Sequence, residues 1–381
     1  MSVATVHSMR VDQAPPDWPR LDAEELRALL EHWGLGSGEA RLIWHSPRPL
    51  SAAAIVALTD RRLFVKRHHR AVRTAVELQE EHGFIEHLQT HGAPVCGVLP
   101  AADGATAVEL GDWTYEMHGV GAGTDLYRDA VSWSPFVSAD HAIAAGRALG
   151  LLHVSSQGFD APSRSAALLV SNDRIIRSAE PLRVVQHLIS RRAALRDYFE
   201  GRDWRPGIAG AIAPFHDRFL DVLPHLQSLW THNDWHASNL LWSDPSAGAT
   251  VQTVLDFGLS DRTTAVYDLA TAIERNTIPW LDIHQGAAAA ADLAQVSGLL
   301  NGYLGARPLS AEERAALVAV LPLVHVGYAL TEIDYFHGTT RSAANADLAY
   351  HGYLLGHCAW FESVQGRALL DHVRRELQEL A

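Results

Sequence analysis

Two short polar segments, set in a region that otherwise has helical patterning, constrain the fold of this sequence most. The first, residues 232–239, reads HNDWHASN, and the second, residues 256–258, reads DFG. Apolar stretches at 240–242 and 253–255 flank a turn-forming segment between them, a pattern typical of two short strands in a hairpin. Because a hairpin brings the outer ends of its strands together, we expect the two polar segments to lie side by side.

Three side chains in these segments can support a specific chemistry. Asp234 and Asn239 belong to the first segment, and Asp256 opens the second. Phosphoryl transfer from ATP needs positioning, magnesium and a carboxylate that orients or deprotonates the accepting hydroxyl. Asp234 can accept that proton, while Asn239 and Asp256 offer the hard oxygen ligands that Mg²⁺ prefers. The sequence therefore predicts ATP and Mg²⁺ as cofactors and Asp234 as the catalytic base.

The two segments resemble the catalytic and metal-binding loops of the aminoglycoside phosphotransferase family, part of the protein-kinase-like superfamily. In that family the first loop reads His-Gly-Asp-x-His-x-x-Asn, so Asn233 replaces a glycine here. Asparagine enters the left-handed backbone region readily, and we expect the loop to keep its shape. The resemblance implies a two-lobed α+β fold, with a small antiparallel-sheet N-terminal lobe containing one main helix and a larger, mainly helical C-terminal lobe. It also implies a kinase that phosphorylates a hydroxyl group of a small molecule.

The same resemblance implies residues that support the catalytic loop. His232 and His236 occupy the two histidine positions of the motif. The segment Tyr267-Asp268-Leu269-Ala270 is similar to the family's Tyr-Asp-Leu-Ala element, in which the aspartate braces the loop through hydrogen bonds. We therefore expect His232, His236 and Asp268 to hold the loop in place.

Strand and helix patterns in the N-terminal part fit the small lobe. Residues 40–66 predict three antiparallel strands, and residues 73–90 predict a helix that ends at a glycine and a proline. Further extended segments are predicted at 95–99, 105–110 and 113–118.

A glycine-rich segment, residues 119–123, predicts the boundary between the lobes. The chain is thus divided into a mobile polar leader (1–20), a nucleotide-binding lobe (21–118) and a helical catalytic and substrate lobe (119–381). At this boundary Met117 and Gly119 are expected to bind the adenine edge through backbone groups.

Lys66 ends the third predicted strand, where the kinase-like fold places the lysine that reaches the α- and β-phosphates. Its partner should be a glutamate on the following helix. Glu77, Glu80 and Glu81 all qualify, and Glu81 best matches the helix pattern of the family. We therefore expect Lys66 and Glu81 to form the nucleotide-binding ion pair.

Two alternative functions stay open. His232, Asp234 and His236 form a His-x-Asp-x-His sequence that can chelate a transition metal in a hydrolase, because residues two apart on a strand share one face. The kinase interpretation explains more of the chain, since it also accounts for Asn239 and Asp256. A non-catalytic nucleotide-binding relative would typically lack the base or a metal ligand, and here both are present.

The sequence constrains the acceptor only weakly. Glu274, Asp282, Glu332 and Asp334 follow the catalytic loops beside aromatic residues and can attract an amine or a sugar-like cation. A charged helix face is an equally good explanation. An aminoglycoside, an amino alcohol, a sugar or a hydroxy amino acid all fit, and the substrate-binding residues stay unknown.

Composition and charge narrow the remaining classes of partner. The 381 residues include 31 Lys and Arg against 44 Asp and Glu, a formal net charge of −13 that disfavours nucleic acid. Cys96 and Cys358 are the only cysteines, which excludes a disulfide framework. The first residues lack the apolar stretch of a secretory signal, and the apolar stretch 315–330 reads as a core helix. We expect a cytoplasmic protein with no membrane partner, of undetermined oligomeric state.

Histidine is abundant, with 22 residues. His68 lies in a basic run at the end of the third predicted strand, and His82 lies among polar residues of the predicted helix. Both are interpreted as surface positions.

Overall fold

A five-stranded antiparallel sheet forms the N-terminal lobe of the computed structural model, which describes residues 16–36, 40–246 and 248–379. The strand order is β1-β2-β3-β5-β4. The strands are β1 (Arg41–His45), β2 (Ala52–Ala57), β3 (Arg62–His69), β4 (Ala107–Leu110) and β5 (Trp113–Gly119). The three strands predicted within residues 40–66 are thereby confirmed, and β5 ends at the predicted boundary between the lobes.

The sheet has two faces of different character. In the β3–β5 register Lys66 pairs with Glu116, and Val65 pairs with Met117. Because side chains alternate along a strand, the first pair faces one side and the second the other. Val65 and Met117 belong to an apolar cluster with buried leucines of helix α1 (Ala23–His32), which covers that face.

The second N-terminal helix, α2 (Ala75–Thr90), packs near the polar face. Thr74 and Glu77 form a capping box that satisfies the free amide groups at its start. The observed bounds confirm the helix predicted over residues 73–90.

The C-terminal lobe is mainly helical, as predicted, and holds most of the buried apolar side chains. Two small two-stranded sheets, β6–β9 and β7–β8, interrupt its helices. The strands are β6 (Ser228–Thr231), β7 (Leu240–Trp242), β8 (Val251–Val254) and β9 (Asp261–Thr264). The helices are α3 (Ala139–Ser155), α4 (Pro181–Arg191), α5 (Ala193–Phe199), α6 (Trp204–Val222), α7 (Ala265–Thr277), α8 (Trp280–His284), α9 (Leu293–Ala306), α10 (Ala311–Val320), α11 (Val326–Asp334), α12 (Ala343–Asp347), α13 (Gly356–Phe361) and α14 (Val364–Glu379).

Helices α3 and α9 approach each other unusually closely. A methyl group on Gly302 would lie 1.9 Å from the carbonyl oxygen of Ile143, and one on Gly146 would lie 2.0 Å from that of Leu299. Both distances are far below a van der Waals contact, so glycine is required at both positions.

Three predicted elements differ in the structure. Residues 95–99 form only isolated bridges, through Val95 to β8 and Val98 to β5. The apolar stretch 315–330 is divided by a 3₁₀ turn, Leu321–Leu323, because Pro322 cannot donate the hydrogen bond that continues α10. The helical pattern of residues 346–360 predicts a single helix, but a π-helical segment, Leu348–Leu355, interrupts it.

The predicted leader lies mostly outside the described residues. Its last part packs on the sheet: the Trp18 ring stacks on His69 at 4.9 Å, and the Asp17 amide donates to the Pro49 carbonyl. These residues belong to the N-terminal lobe.

The stretch Ala311–Thr339 has the length and composition of a membrane span, but 94% of its apolar window is buried inside the protein. That burial is typical of a core helix, as the sequence predicts.

Candidate active site

The catalytic loop connects β6 to β7, and its shape depends on one residue with a left-handed backbone. Asn233 has φ +60°, so the expectation that asparagine can replace the family's glycine is confirmed. Its side chain also accepts from Thr231 Oγ1 at 2.8 Å and donates to the Ser171 carbonyl at 3.1 Å. Asparagine thus adds hydrogen bonds that a glycine cannot form.

Asp268 braces the loop from the first turn of α7. Its two carboxylate oxygens accept the backbone N–H groups of His232 and Asn233, each at 2.8 Å. His153 of α3 donates to the same carboxylate at 3.0 Å. Burial lowers the pKa of His153 despite the nearby carboxylate, so a neutral imidazole forms this bond. The predicted supporting role of Asp268 agrees with this geometry.

The two loop histidines form hydrogen bonds that hold the loop in place. His232 Nδ1 accepts the Asp234 N–H at 3.1 Å, and its Nε2 donates to the Leu255 carbonyl at 2.9 Å. His236 Nδ1 is 2.9 Å from Ser238 Oγ. Because both nitrogens of His232 are occupied, the His-x-Asp-x-His chelate suggested for a metal hydrolase does not form, and that alternative is wrong for these residues.

Asp234 lies half-buried between two partners. Its Oδ1 is 2.7 Å from Arg275 Nη1, and its Oδ2 accepts from Asn239 Nδ2 at 3.1 Å. Desolvation by burial acts to raise the pKa of Asp234, but Arg275, assisted by His236, outweighs it and holds the pKa well below its usual range. The carboxylate is therefore ionised at neutral pH.

Asn239 and Asp256 converge as predicted. The Leu255 amide donates to the Asn239 carbonyl at 2.8 Å, which fixes the second polar segment beside the first. Because Asn239 Nδ2 donates to Asp234, the carboxamide oxygen is the atom that can bind a cation. Asp256 has φ +57°, a strained value that turns its carboxylate toward Lys66.

Lys66 binds Asp256 rather than Glu81. Its Nζ is 2.9 Å from Asp256 Oδ1, while Glu81 forms an ion pair with Arg164 at 3.2 Å. Although desolvation opposes it, the Lys66 ammonium lowers the pKa of Asp256. The predicted Lys66–Glu81 ion pair is therefore wrong in this structure, because Glu81 is paired with Arg164 instead.

The other two candidate glutamates are engaged elsewhere. Glu77 accepts from Thr74 at the start of α2, and Glu80 accepts the Ser165 amide at 2.9 Å. Of the three, Glu81 is the buried one whose charge acts on Lys66.

Met117 has its side chain and its carbonyl group engaged within the N-terminal lobe. Its side chain is fully buried on the α1 face of the sheet, and its carbonyl accepts the Leu99 amide at 2.7 Å. The expectation that backbone groups of Met117 bind the adenine edge therefore stays a prediction. Gly119 lies at the end of β5, where its amide donates to the Gly97 carbonyl at 3.1 Å.

Sequence reasoning missed Arg275. Arg275 is only 6% exposed, and its guanidinium lies 4.5 Å from the centre of the Trp133 ring and pairs with Asp234. Trp133 itself has φ +77°, a strained backbone for a large residue. The sequence offered one signal, since Arg275 lies in a segment, residues 265–277, in which most residues are apolar. A charge buried in such a helix requires a partner.

A polar cluster in the N-terminal lobe was missed as well. Nε2 atoms of His68, His82 and His118 all lie 2.7–2.9 Å from the Glu116 carboxylate. His68 and His82 are buried, so their interpretation as surface residues is wrong. Single-sequence reasoning could not pair them with a glutamate on a different strand.

Comparison with known proteins places this geometry in a family. A sequence profile described as the phosphotransferase enzyme family matches residues 50–309. The chain belongs to this family. The match confirms the predicted family of phosphotransferases, and the solved structures confirm the protein-kinase-like fold.

Individual relatives are distant. A homoserine kinase of Methylobacillus flagellatus is 26% identical over 172 residues, which cover 41% of this chain and 50% of the relative, so the chain matches about half of its length. A microcompartment-associated aminopropanol kinase superimposes with a TM-score of 0.61 at 20% identity, covering 93% of this chain and 100% of the other. An amicoumacin kinase in complex with AMP-PNP and Ca²⁺ superimposes with a TM-score of 0.55 at 12% identity, covering 93% and 92%.

Proposed function

We propose that this protein is an ATP- and magnesium-dependent kinase that phosphorylates a hydroxyl group of a small molecule, with Asp234 as the catalytic base. The observation that carries the proposal is the convergence of Asp234, Asn239, Asp256 and Lys66. These four residues come from three separate parts of the chain and meet between the lobes.

The donor set fits magnesium. Asp256 offers an ionised, partly exposed carboxylate, and Asn239 offers a carboxamide oxygen. These are hard oxygen ligands, few in number, which leaves coordination positions for nucleotide phosphates and water. Magnesium bound there would neutralise the negative charge of those phosphates.

Lys66 and Asp234 have separate tasks. Lys66 is charged at neutral pH and is held by Asp256, so it is placed to bind phosphate oxygens. Asp234 has a low proton affinity, which makes it a weak base. That property suits phosphoryl transfer with a loose transition state, in which the carboxylate mainly orients the acceptor hydroxyl and takes its proton late.

The acceptor is proposed to carry an amine. Glu332 is buried, is hydrogen-bonded to Tyr328 and forms no ion pair with any described residue. Glu274 and Asp334, by contrast, bind His357 and Arg192. Burial raises the pKa of Glu332 to about 8, and an ammonium group nearby would relieve that cost.

A coupled ADP-release assay tests the function. We expect turnover with amino alcohols or hydroxy amino acids, at least tenfold less with the matching alcohols that lack the amine, and a loss of about 10²-fold or more in Asp234→Asn. Asp217→Asn, at an exposed aspartate of α6, is the matched control. Unchanged ADP release in Asp234→Asn would contradict the proposed base, and equal rates with and without the amine would contradict only the acceptor class.

A further inference from the structure

A second polar cluster lies in the core of the C-terminal lobe, and the proposed phosphoryl transfer uses none of its members. It consists of Glu274 on α7, His325 just before α11 and His357 on α13. Each is at least 98% buried, and one potential ligand atom from each lies within 4.8 Å of the other two. Three parts of the chain thus contribute one donor each.

His325 presents a lone pair that no group in the structure satisfies. Its Nε2 is 3.2 Å from the Leu354 carbonyl, which can only accept, so Nε2 carries the proton and Nδ1 does not. Nδ1 is buried and has no hydrogen-bond partner among the residues that the structure describes. Burial lowers the pKa of His325 to about 3, so the ring stays neutral. A buried nitrogen of this kind is costly unless a ligand occupies it.

His357 is held in the orientation of a metal ligand. Its ring stacks on Trp280 with centroids 3.4 Å apart, and its Nε2 lies 3.1 Å from Nε2 of His284. Its Nδ1 faces Glu274 Oε1 at 2.7 Å. An imidazole that ligates through one nitrogen typically donates from the other to a second partner, and His284 can accept that bond.

The charge around Glu274 favours a cation. Glu274 is buried, and Arg275, the cation that follows it in the chain, is already paired with Asp234. In the histidine cluster of the N-terminal lobe, the carboxylate has less free capacity to bind a cation. This carboxylate, Glu116, already interacts with three imidazoles, whereas Glu274 interacts with one.

We propose that Glu274, His325 and His357 bind a divalent transition metal ion of the zinc type. Two imidazoles and a carboxylate are a common zinc ligand set, which leaves a fourth position for water. The ion would satisfy His325 Nδ1, balance the Glu274 charge and join α7 to α11 and α13. The proposal is independent of the phosphoryl transfer, because none of these residues belongs to the candidate active site.

Metal analysis of the intact protein tests the proposal. We expect about one equivalent of zinc after chelator treatment, reloading with Zn²⁺ and dialysis. We also expect a higher unfolding temperature with Zn²⁺, and the visible absorption of tetrahedral Co²⁺ after reloading with cobalt. If the wild-type protein retains only a small fraction of an equivalent of zinc and shows no Co²⁺ spectrum, the metal site is refuted. The three residues would then be joined by hydrogen bonds alone.

Variants locate the ion. Glu274→Gln and His357→Asn should weaken Zn²⁺ binding at least tenfold. His351→Asn, which replaces an exposed histidine in the segment before α13, should leave Zn²⁺ binding unchanged. If Glu274→Gln fails to fold, the Co²⁺ spectrum of the wild-type protein still shows whether a tetrahedral metal site exists. Zinc that survives Glu274→Gln but is lost in His82→Asn would place the ion in the other lobe and refute the assignment, and Asp256→Asn should leave zinc content unchanged.

Discussion

Arg275 Nη1 lies 2.7 Å from Asp234 Oδ1, so a residue of helix α7 controls the charge of the residue proposed as the catalytic base. The arginine is itself held over the Trp133 ring and buried. Helix α7 also supplies Asp268, which fixes the backbone of the catalytic loop. One helix therefore sets both the position and the proton affinity of Asp234.

Arg275→Gln should move the acid limb of the pH–rate profile toward neutral pH. In the wild-type protein the pKa of Asp234 is depressed, so the carboxylate is ionised well into the acid range. Without the guanidinium, less positive charge opposes the desolvation of the Asp234 carboxylate, so the pKa of Asp234 rises. Activity is then lost at a higher pH. Breaking a buried ion pair should also cost about 3–5 kcal/mol of unfolding free energy.

The measurement is kcat/KM against pH, together with urea unfolding. Arg275→Lys keeps a positive charge and should restore part of the acid limb. Arg262→Gln, which breaks an exposed pair with Asp160, is the control. An acid limb that stays in place in Arg275→Gln would show that Arg275 does not set the proton affinity of Asp234.

Lys66→Met should impair catalysis more than Glu81→Gln. Lys66 contacts Asp256 at 2.9 Å, whereas Glu81 pairs with Arg164. Removing the lysine should raise KM for ATP and lower kcat/KM about 10²–10³-fold, as with other preorganised groups that stabilise transition-state charge. Glu81→Gln should mainly lower stability. Steady-state kinetics with thermal unfolding separates the two effects, and a larger kinetic loss in Glu81→Gln would mean that Glu81 contacts Lys66 during turnover.

Much of the active site could be predicted because its chemistry is encoded locally. Asp234, Asn239 and Asp256 lie at fixed spacing around a hairpin, and the hairpin itself brings them together.

The missed features depend on long-range packing. Glu81 was assigned to Lys66 because the sequence does not reveal that Arg164 reaches it from a distant segment. His82 reads as polar surface until Glu116 is known to face it. Such pairings are properties of the tertiary fold, and a pattern in one segment cannot specify them.

Replacing Asn233 should reveal the cost of its left-handed backbone. Asn233→Ala keeps φ near +60° only with strain of about 1–2 kcal/mol, while glycine adopts it freely. The greater flexibility of unfolded glycine offsets about 0.4–1 kcal/mol of that difference. Asn233→Ala should therefore be less stable than Asn233→Gly by about 1 kcal/mol in urea unfolding. Equal stability of the two variants would show that the lost side-chain hydrogen bonds, common to both, are the whole effect.

The close packing of α3 and α9 gives a prediction with an internal control. Gly302→Ala would place a methyl group 1.9 Å from the Ile143 carbonyl oxygen, and the backbone of α3 cannot yield to it as a flexible side chain would. The helices must separate, which should lower the free energy of unfolding by more than about 2 kcal/mol. Gly305→Ala lies on the same helix with open space at its Cβ position, so it should stabilise by up to about 1 kcal/mol through helix propensity. Urea unfolding of both variants gives the comparison, and a Gly302→Ala protein as stable as the wild type would mean that the two helices are further apart than the structure places them.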